Sequence, residues 1–359
     1  MTYYQLDSHV DIASWPEWGS APRGPVLTCD NAHAGELMDS IIGPDAATGE
    51  PMVYHIIRCE LCISTHVWPL PSQDALAQYY ANQFYQVEKP EYIARYEQDR
   101  SWWEQCVHTP ILRQCIDNNP WVFSDNKQAS SLRVSRKNKR VLDIGAGPGI
   151  ALDVARNMGL WTYAVEPNEA LALRLRENND GVYHGTLEDV APYIQSDFSN
   201  KGFDILYLYE TLEHQPCPED FLLHCYDLLA PGGVIAIVVP NDYNPLQLRA
   251  CQEYSLKHWW LAPPQHLHYF TPKTLQLLVR RCGLTLCDMR TTWPLEQAIF
   301  GGRNYIGNDV LGRQLHQERM AAELHDVHDA DRWDARMARY RGNMINRIGR
   351  EIVCIARKD

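Results

Sequence analysis

Short apolar runs alternate with amphipathic segments from residue 140 to the last residues of the chain. Short apolar runs are typical of buried strands, whereas a 3.6-residue repeat is typical of helices. Strands are predicted at 140–144, 161–165, 182–184, 203–208, 232–238, 284–290 and 351–356. Helices are predicted at about 149–158, 168–176, 188–195, 218–229 and 272–282. This alternation predicts an α/β fold, with a parallel sheet that is covered by helices on both faces.

The regions around these strands suggest four parts. Residues 1–71 are rich in turn formers and are predicted to be a zinc-binding or substrate module. Residues 72–134 are aromatic and helical, and are predicted to cap the functional site. Residues 135–293 and 349–359 form the α/β domain. Residues 294–348 are a polar helical insertion before the last strand, either a solvated helical pair or a dimer arm.

A glycine loop follows the first of these strands directly. Val141 to Ile144 is apolar apart from Asp143, and three glycines at alternate positions, ending at Gly149, lead into a helix. Glycines there allow a tight turn and a close approach of ligand to main chain. Glu166 ends the second strand about 20 residues later, where a carboxylate can accept hydrogen bonds from ribose hydroxyls. The stretch therefore predicts a nucleoside-binding turn.

Two details narrow the kind of nucleoside. A dinucleotide loop requires a third glycine at position 150, which is Ile150, and no Gly-Lys-Ser/Thr of a Walker loop follows. Asp143 adds negative charge just before the loop, which suits a cationic ligand better than a diphosphate. A plain strand–turn–helix, with glycines needed only for the turn, is the alternative.

The stretch resembles motif I of the class I S-adenosylmethionine-dependent methyltransferases. Further segments resemble this family in the same order, and the resemblance covers residues 135–293 and the last strand. Residues 203–206 resemble the family's fourth strand, Leu212-Glu213-His214 follows its end, and 228–233 resemble the turn before strand five. Residues 265–271 resemble a segment of the small-molecule branch that is known by its Leu-Glu-His motif. The resemblance implies a Rossmann-like sheet and S-adenosylmethionine as the cofactor.

The resemblance also implies which residues contact this cofactor. Asp143, Gly145 and Gly147 would line its methionine part, and Glu166 would hold the ribose. Thr186 and Leu187 follow the third strand, where the family borders the adenine. The complete set of implied cofactor residues is Asp143, Gly145, Ala146, Gly147, Gly149, Glu166, Pro167, Thr186, Leu187 and Tyr209.

Cysteine spacing in the first 71 residues indicates a metal site. Cys59 and Cys62 form a C-x-x-C pair, and Cys29 and His33 lie upstream. Three thiolates and one imidazole suit tetrahedral structural zinc. The segment 58–85 resembles the zinc-binding module of sugar methyltransferases, although its first pair is not C-x-x-C. The alternative is reduced cysteines without a metal.

Methyl transfer to a hydroxyl requires removal of a proton, and histidine is the natural base near neutral pH. By topology His214 faces the cofactor crevice, while His266 and His268 follow strand five on the acceptor side. Tyr209 could orient or deprotonate an acceptor. All four are catalytic candidates, and each could equally be structural. Three roles are open for Glu213, which are to orient His214, to bind a metal and to cap the following helix.

Composition restricts the partners further. The 359 residues carry a net charge of -12, which argues against general nucleic-acid binding because such binding relies on basic surface. No apolar run approaches membrane-spanning length and no signal region is visible, so a cytoplasmic protein without membrane contact is expected. The eleven cysteines are mostly scattered singly, as in reduced cytosolic proteins.

These observations predict an enzyme that methylates a small molecule, as a monomer or homodimer. The N-terminal segment favours a sugar or nucleotide-linked sugar as acceptor, with O- and C-methylation both open. One alternative is a methyltransferase for another natural product, a lipid or a protein. Another is a cofactor-binding regulatory subunit without turnover.

Overall fold

A computed structural model describes residues 26–28, 34–59, 64–80, 84, 91–118, 139–198 and 201–359. Its strands form two sheets, one of seven strands and one of five. The seven-stranded sheet comprises β5 (Arg140–Ile144), β6 (Trp161–Glu166), β7 (Gly181–His184), β8 (Phe203–Tyr209), β9 (Leu229–Pro240), β11 (Thr285–Thr291) and β12 (Glu351–Arg357). The other sheet comprises β1 (Val26–Thr28), β2 (Ala34–Pro44), β3 (Pro51–Cys59), β4 (Ser64–Trp68) and β10 (His268–Tyr269).

The larger sheet has the strand order β11-β12-β9-β8-β5-β6-β7. Strands β5 to β9 are parallel to one another, and β12 and β11 are antiparallel at one edge. The order reverses at β5, whose neighbours are β6 and β8. Because ligands bind at such a switch point, outside the carboxyl ends of the strands, this topology places the site after β5, β6 and β8. The predicted Rossmann-like α/β fold is confirmed.

One strand begins earlier than its pattern predicts. The segment Pro231-Gly232-Gly233 suggests a turn before a strand that begins at residue 232, yet β9 begins at Leu229. The register shifts there, because Phe203 pairs with Leu229 while Ile205 pairs with Val234. The extra residues form an irregularity at the start of the strand, so the turn lies inside its bounds.

Helices cover both faces of this sheet, and each face has its own apolar core. Leu142, Leu206 and Ile235 belong to one core, and Val141, Ile205 and Ala236 to the other. This strict alternation is what a doubly covered sheet requires. The helices are α5 (Ile150–Asn157), α6 (Glu169–Leu175), α7 (Leu187–Phe198), α8 (Pro218–Leu228), α9 (Pro245–Tyr254) and α10 (Pro272–Arg281).

The five-stranded sheet is antiparallel and is completed by a strand from the second half of the chain. In β10, His268 pairs with His66 and Tyr269 pairs with Thr65 of β4. A separate apolar core lies beneath this sheet and includes Tyr54, Ile56, Val67, Trp260 and Tyr269. The segment that follows β9 therefore attaches the N-terminal sheet to the larger domain.

Two further helical groups flank the large sheet. The first comprises α1 (Gln73–Tyr79), α2 (Tyr92–Gln98), α3 (Arg100–Trp102), a π-helical turn (Trp103–His108) and α4 (Thr109–Asp117). The second comprises α11 (Gln297–Phe300), α12 (Asp309–Val327) and α13 (Ala330–Ile345). They are joined where the indole N–H of Trp102 donates to Glu323 at 2.6 Å, with Arg319 over the indole ring.

The lengths and compositions of the helices can be compared with those of a membrane span. In the ranges that the structure describes, no helix combines the length and the apolar character needed to cross a bilayer. The four-part division proposed from composition stays a prediction.

Candidate active site

A cavity opens at the carboxyl ends of β5, β6 and β8, at the switch point of the sheet. Its lining includes the glycine loop, the end of β6, the segment after β8 and the N-terminal helices. The lining residues are Ala77, Tyr80, Phe84, Tyr96, His108, Asp143, Gly145, Ala146, Gly147, Pro148, Ile150, Ala151, Glu166, Pro167, Asn168, Tyr209, Glu210, Thr211, His214 and Gln215. We call residues 143–151 and 166–168 the cofactor side, and Ala77, Tyr80, Phe84, His214 and Gln215 the acceptor side.

The glycine loop has the backbone that its sequence predicts. Gly145 has φ +78°, and a Cβ there would lie 2.8 Å from the Thr211 hydroxyl oxygen. Gly147 has φ +51°, and a Cβ there would meet nothing within 4 Å, so this position opens into the cavity. Both positions need glycine for the left-handed backbone, and the second also permits a ligand to approach closely.

Glu166 connects the loop to the end of β6. One carboxylate oxygen accepts from the Gly147 amide at 2.7 Å, and the other accepts from the Asn168 amide at 2.8 Å. These bonds hold the carboxylate at the cavity wall with 2% of the residue exposed. Each carboxylate oxygen has a second lone pair, so Glu166 can still accept hydrogen bonds from a ligand.

The two acids of the cofactor side have unusual electrostatics. Burial, together with the nearby Glu166, raises the pKa of Asp143 to about 8. Burial also raises the pKa of Glu166 to about 7, although the amides of Asn168 and Gly147 act in the opposite direction. Buried carboxyl groups are shifted in this way when no cation compensates their charge.

These residues fit S-adenosylmethionine. No arginine or lysine is among the cavity-lining residues of the described chain, and no described residue donates a hydrogen bond to the Asp143 carboxyl. The acids therefore leave negative charge for a ligand to compensate. A sulfonium and an ammonium group supply two positive charges, and ribose hydroxyls match the acceptor oxygens of Glu166.

His214 is the candidate base that the structure places in the cavity. Its Nδ1 lies 2.6 Å from the Gln265 carbonyl and 2.8 Å from the Tyr80 hydroxyl. A carbonyl can only accept, so Nδ1 carries a proton and the lone pair of the neutral ring is on Nε2. Burial lowers the pKa of His214 to about 4, against the opposing effect of the Gln265 and Glu210 carbonyls, so the ring is neutral at pH 7.

Glu213 and His266 lie beside His214. Their ligand atoms and those of His214 are all within 4.8 Å of one another, a spacing that could hold a metal ion. Glu213 is fully buried, and its carboxyl oxygens have no hydrogen-bond partner among the described residues. Burial raises the pKa of Glu213 well above its usual range, so this acid is either protonated or held for a cation.

The remaining catalytic candidates occupy different surroundings. His268 is not among the lining residues of the cavity, because its Nδ1 meets the Ser64 hydroxyl at 2.9 Å in a second pocket. Tyr209 lines the cavity, but burial raises its pKa well above 10. A protonated phenol can orient an acceptor but is a poor base. Their catalytic roles stay predictions.

Several implied cofactor residues lie away from the cavity lining. The Thr186 hydroxyl donates to Asp189 at 2.8 Å and caps α7, whereas Leu187 is buried in the core. Gly149 precedes α5, where a Cβ would meet the Leu175 side chain. In contrast, Ala146 and Pro167 do line the cavity. The structure therefore brings together the loop and Glu166, but not the predicted adenine border.

Sequence reasoning did not find the residues that α1, α2 and the π-helical turn contribute. Tyr80, Tyr96 and His108 reach the cavity from these segments. The tyrosine-rich pattern near residue 80 was a signal for the first of them. No local pattern marks His108, because its partner Tyr207 is 99 residues away along the chain.

Of the four predicted zinc ligands, the structure describes one. Cys29, His33 and Cys62 lie outside the described residues. Cys59 is 1% exposed and ends β3, where it pairs with Ser64 of β4. The zinc site therefore stays a prediction.

Comparisons with known proteins find a match over much of the α/β domain. Residues 122–288 match a family model described as a methyltransferase domain. This match supports a methyltransferase, and the cofactor side of the cavity fits S-adenosylmethionine.

Curated relatives are similar to part of the chain. A ubiquinone biosynthesis O-methyltransferase of Nitrosococcus oceani is 26% identical over 228 residues, which cover 62% of this chain and 91% of that protein. One from Pseudomonas putida is 29% identical over 161 residues, covering 44% of this chain and 69% of that protein. A solved SAM-dependent methyltransferase from Archaeoglobus fulgidus aligns over 74% of this chain and 99% of its own, with 18% identity and a TM-score of 0.43.

Proposed function

We propose that this enzyme transfers a methyl group to a hydroxyl oxygen of a small molecule bound beside His214. The observation that carries the proposal is that the Nε2 lone pair of His214 belongs to a ring lining the same cavity as Asp143 and Glu166. S-adenosylmethionine, when bound, supplies a methyl group on a positively charged sulfur. The names of the relatives, which are O-methyltransferases, also favour an oxygen acceptor.

His214 would take the proton that the acceptor loses. The Gln265 carbonyl and Tyr80 hydroxyl orient the ring through Nδ1, which leaves Nε2 for the acceptor hydroxyl. Glu213 lies 3.8 Å from Nε2 and would stabilise the imidazolium once the proton has moved. This arrangement of a base and an orienting partner is typical of general base catalysis.

The acceptor side also favours a particular shape of small molecule. Tyr80 and Phe84 meet edge to face at 5.4 Å, and Tyr80 meets the His214 ring at 5.9 Å. Aromatic walls of this kind bury flat or apolar surface while a few polar groups fix its orientation. A sugar acceptor remains a prediction from the N-terminal sequence, and the relatives lend it no support.

The experiment is a methyl-incorporation assay with two classes of acceptor. The purified enzyme is incubated with methyl-labelled S-adenosylmethionine and either hydroxylated aromatic compounds or nucleotide-linked sugars, and products are located by mass spectrometry. We expect an O-methyl product whose rate of formation falls by about 10²- to 10⁴-fold in His214→Ala. The exposed α12 variant His325→Ala should not change it. Methylation of carbon or nitrogen, or cofactor binding without transfer, would contradict the proposal.

A metal-assisted version of the same reaction is favoured by the cluster of Glu213, His214 and His266. A divalent ion there would act as a Lewis acid that lowers the pKa of the acceptor hydroxyl. Removal of metal separates the versions. If His214 is the base, a chelator leaves the rate unchanged. If the cluster holds a metal, activity is lost and returns with Mg²⁺ or Mn²⁺.

Structural zinc at Cys29, His33, Cys59 and Cys62 is a separate proposal, supported by the spacing of these residues. Metal analysis of the purified chain should find close to one zinc per molecule, and Cys62→Ser should remove it. A stably folded chain without zinc would refute this site.

A further inference from the structure

His108 is a buried polar residue of the cavity that neither the glycine motif nor the proposed base accounts for. It ends the π-helical turn, lines the cavity and is 4% exposed. Its Nδ1 lies 2.8 Å from the Tyr207 hydroxyl, and its ring is stacked on Trp103 with 5.8 Å between centroids. The ring is therefore fixed from two directions.

The hydrogen-bond partner of His108 Nδ1 determines whether the other ring nitrogen, Nε2, carries a proton. Tyr207 is 1% exposed, and its hydroxyl has one proton to place. The described residues offer this proton one hydrogen-bond acceptor, His108 Nδ1. A buried hydroxyl that donates to Nδ1 leaves the proton of the neutral ring on Nε2. Burial lowers the pKa of His108 to about 3, so the ring stays neutral.

The position of this Nε2–H relative to Asp143 suggests its ligand. Tyr207 of β8 is the direct neighbour of Asp143 of β5, so the His108 ring is held on the Asp143 side of the cavity. The amino-acid tail of S-adenosylmethionine has an ammonium and a carboxylate on one carbon. Asp143 suits the ammonium, but no described lining residue is an arginine or lysine for the carboxylate.

We propose that His108 donates its Nε2–H to the carboxylate of the cofactor's amino-acid tail, and that Tyr207 is the positioning residue that presents this proton. A neutral donor suits this place because a cation next to Asp143 would compete with the ammonium of the ligand. The role is independent of which acceptor the enzyme methylates.

The test compares two ligands that differ only in the tail. S-adenosylhomocysteine carries the amino-acid tail, and 5′-methylthioadenosine lacks it. In calorimetry, His108→Ala should raise the Kd for S-adenosylhomocysteine roughly 10- to 100-fold. This is the loss of affinity expected when a hydrogen bond to a charged group is removed. The Kd for methylthioadenosine should change less than about twofold, because its contacts do not include the tail.

A conservative variant and a second ligand contact keep the result interpretable. His108→Gln retains an amide donor and should recover part of the affinity for S-adenosylhomocysteine. Glu166→Ala should weaken the binding of both S-adenosylhomocysteine and methylthioadenosine, since both contain the ribose. Circular dichroism and thermal melting verify that each variant is folded.

Two outcomes would overturn the assignment. An equal loss of affinity for both ligands in His108→Ala would show that His108 contacts the nucleoside and not the tail. An unchanged Kd for both would show that His108 does not contact the cofactor. Tyr207→Phe should produce a smaller selective loss for S-adenosylhomocysteine, because the tautomer is no longer fixed. Tyr183→Phe, whose hydroxyl donates to Asp197 away from the cavity, is the matched control.

Discussion

The cofactor side and the acceptor side of the cavity are assembled from different ranges of the chain. Gly147 and Glu166 of the cofactor side are 19 residues apart. Gly147 lies in the loop after β5, and Glu166 ends the adjacent parallel strand β6. On the acceptor side, the Tyr80 hydroxyl and His214 are 134 residues apart. The cofactor side lies within one βαβ unit, so local turns determine it. The acceptor side depends on how the N-terminal sheet and α1 pack against the larger domain.

This difference predicts that substitutions on the two sides affect different measurements. Loss of a cofactor-side acid should appear in cofactor affinity, with little direct effect on the proton transfer. Loss of the acceptor-side base should appear in kcat, with cofactor affinity unchanged. A variant that altered both equally would show that the two sides act as one unit.

The largest effect is expected for His214→Ala. Removal of a general base lowers kcat by about 10²- to 10⁴-fold. The Kd for S-adenosylhomocysteine should stay within about twofold, because Nε2 is assigned to the acceptor. Steady-state kinetics and calorimetry measure the two quantities. An unchanged kcat would exclude His214 from proton transfer.

Glu166→Ala should weaken cofactor affinity by a few kcal/mol at most, or roughly 10- to 100-fold, because it removes charged hydrogen bonds to the ribose. Calorimetry with S-adenosylhomocysteine measures this change. Glu177→Ala, an exposed acid beyond α6, is the control that should leave affinity unchanged. An unaltered Kd in Glu166→Ala would refute the ribose role.

The raised pKa values of Asp143 and Glu166 predict opposite pH trends for binding and stability. Between pH 6 and 8.5 both acids lose their protons in the free enzyme, so S-adenosylmethionine should bind on the order of tenfold more tightly at the higher pH. Because these pKa values are higher in the folded than in the unfolded chain, their contribution to stability is complete below about pH 4 and is lost as pH rises toward 8.

The cofactor-free enzyme should therefore melt at a lower temperature at pH 8.5 than at pH 6. Asp143→Asn removes one of the titrating groups and should flatten both trends, whereas Asp197→Asn, at an exposed residue near the end of α7, should not. Calorimetric titrations and thermal melts at several pH values provide the measurements. Parallel trends for affinity and stability would contradict the assigned shifts.

The smallest effect is expected for Tyr80→Phe. The Gln265 carbonyl still orients His214 in this variant, so loss of one shared hydrogen bond should lower kcat by roughly two- to fivefold. The pH profile of kcat should shift, which a purely structural role for Tyr80 would not cause. Tyr193→Phe, at an exposed residue of α7, should match the parent enzyme. A profile identical to that of the parent would remove Tyr80 from the orientation of His214.

Most of the large sheet was predictable because each strand is a local apolar run. Asp143, the glycines and Glu166 were also predictable, since one βαβ unit determines their positions. The approach of α1 and the π-helical turn was not, because the contacts of Tyr80 and His108 depend on packing between distant elements. His266 and His268 are two residues apart and would share a face of a regular strand, but β10 begins only at His268. His266 precedes the strand and its ring lies 5.1 Å from that of His214, whereas His268 pairs with His66 of β4.

The sequence by itself determined the class of fold, the glycine loop and the place of Glu166 at the end of β6, because short-range backbone geometry and residue type specify them. The tertiary structure decided which histidine enters the cavity, the tautomer of its ring and the neutral His108 beside Asp143. Those properties depend on burial and on hydrogen bonds between residues about 50 to 130 positions apart, which no local pattern encodes.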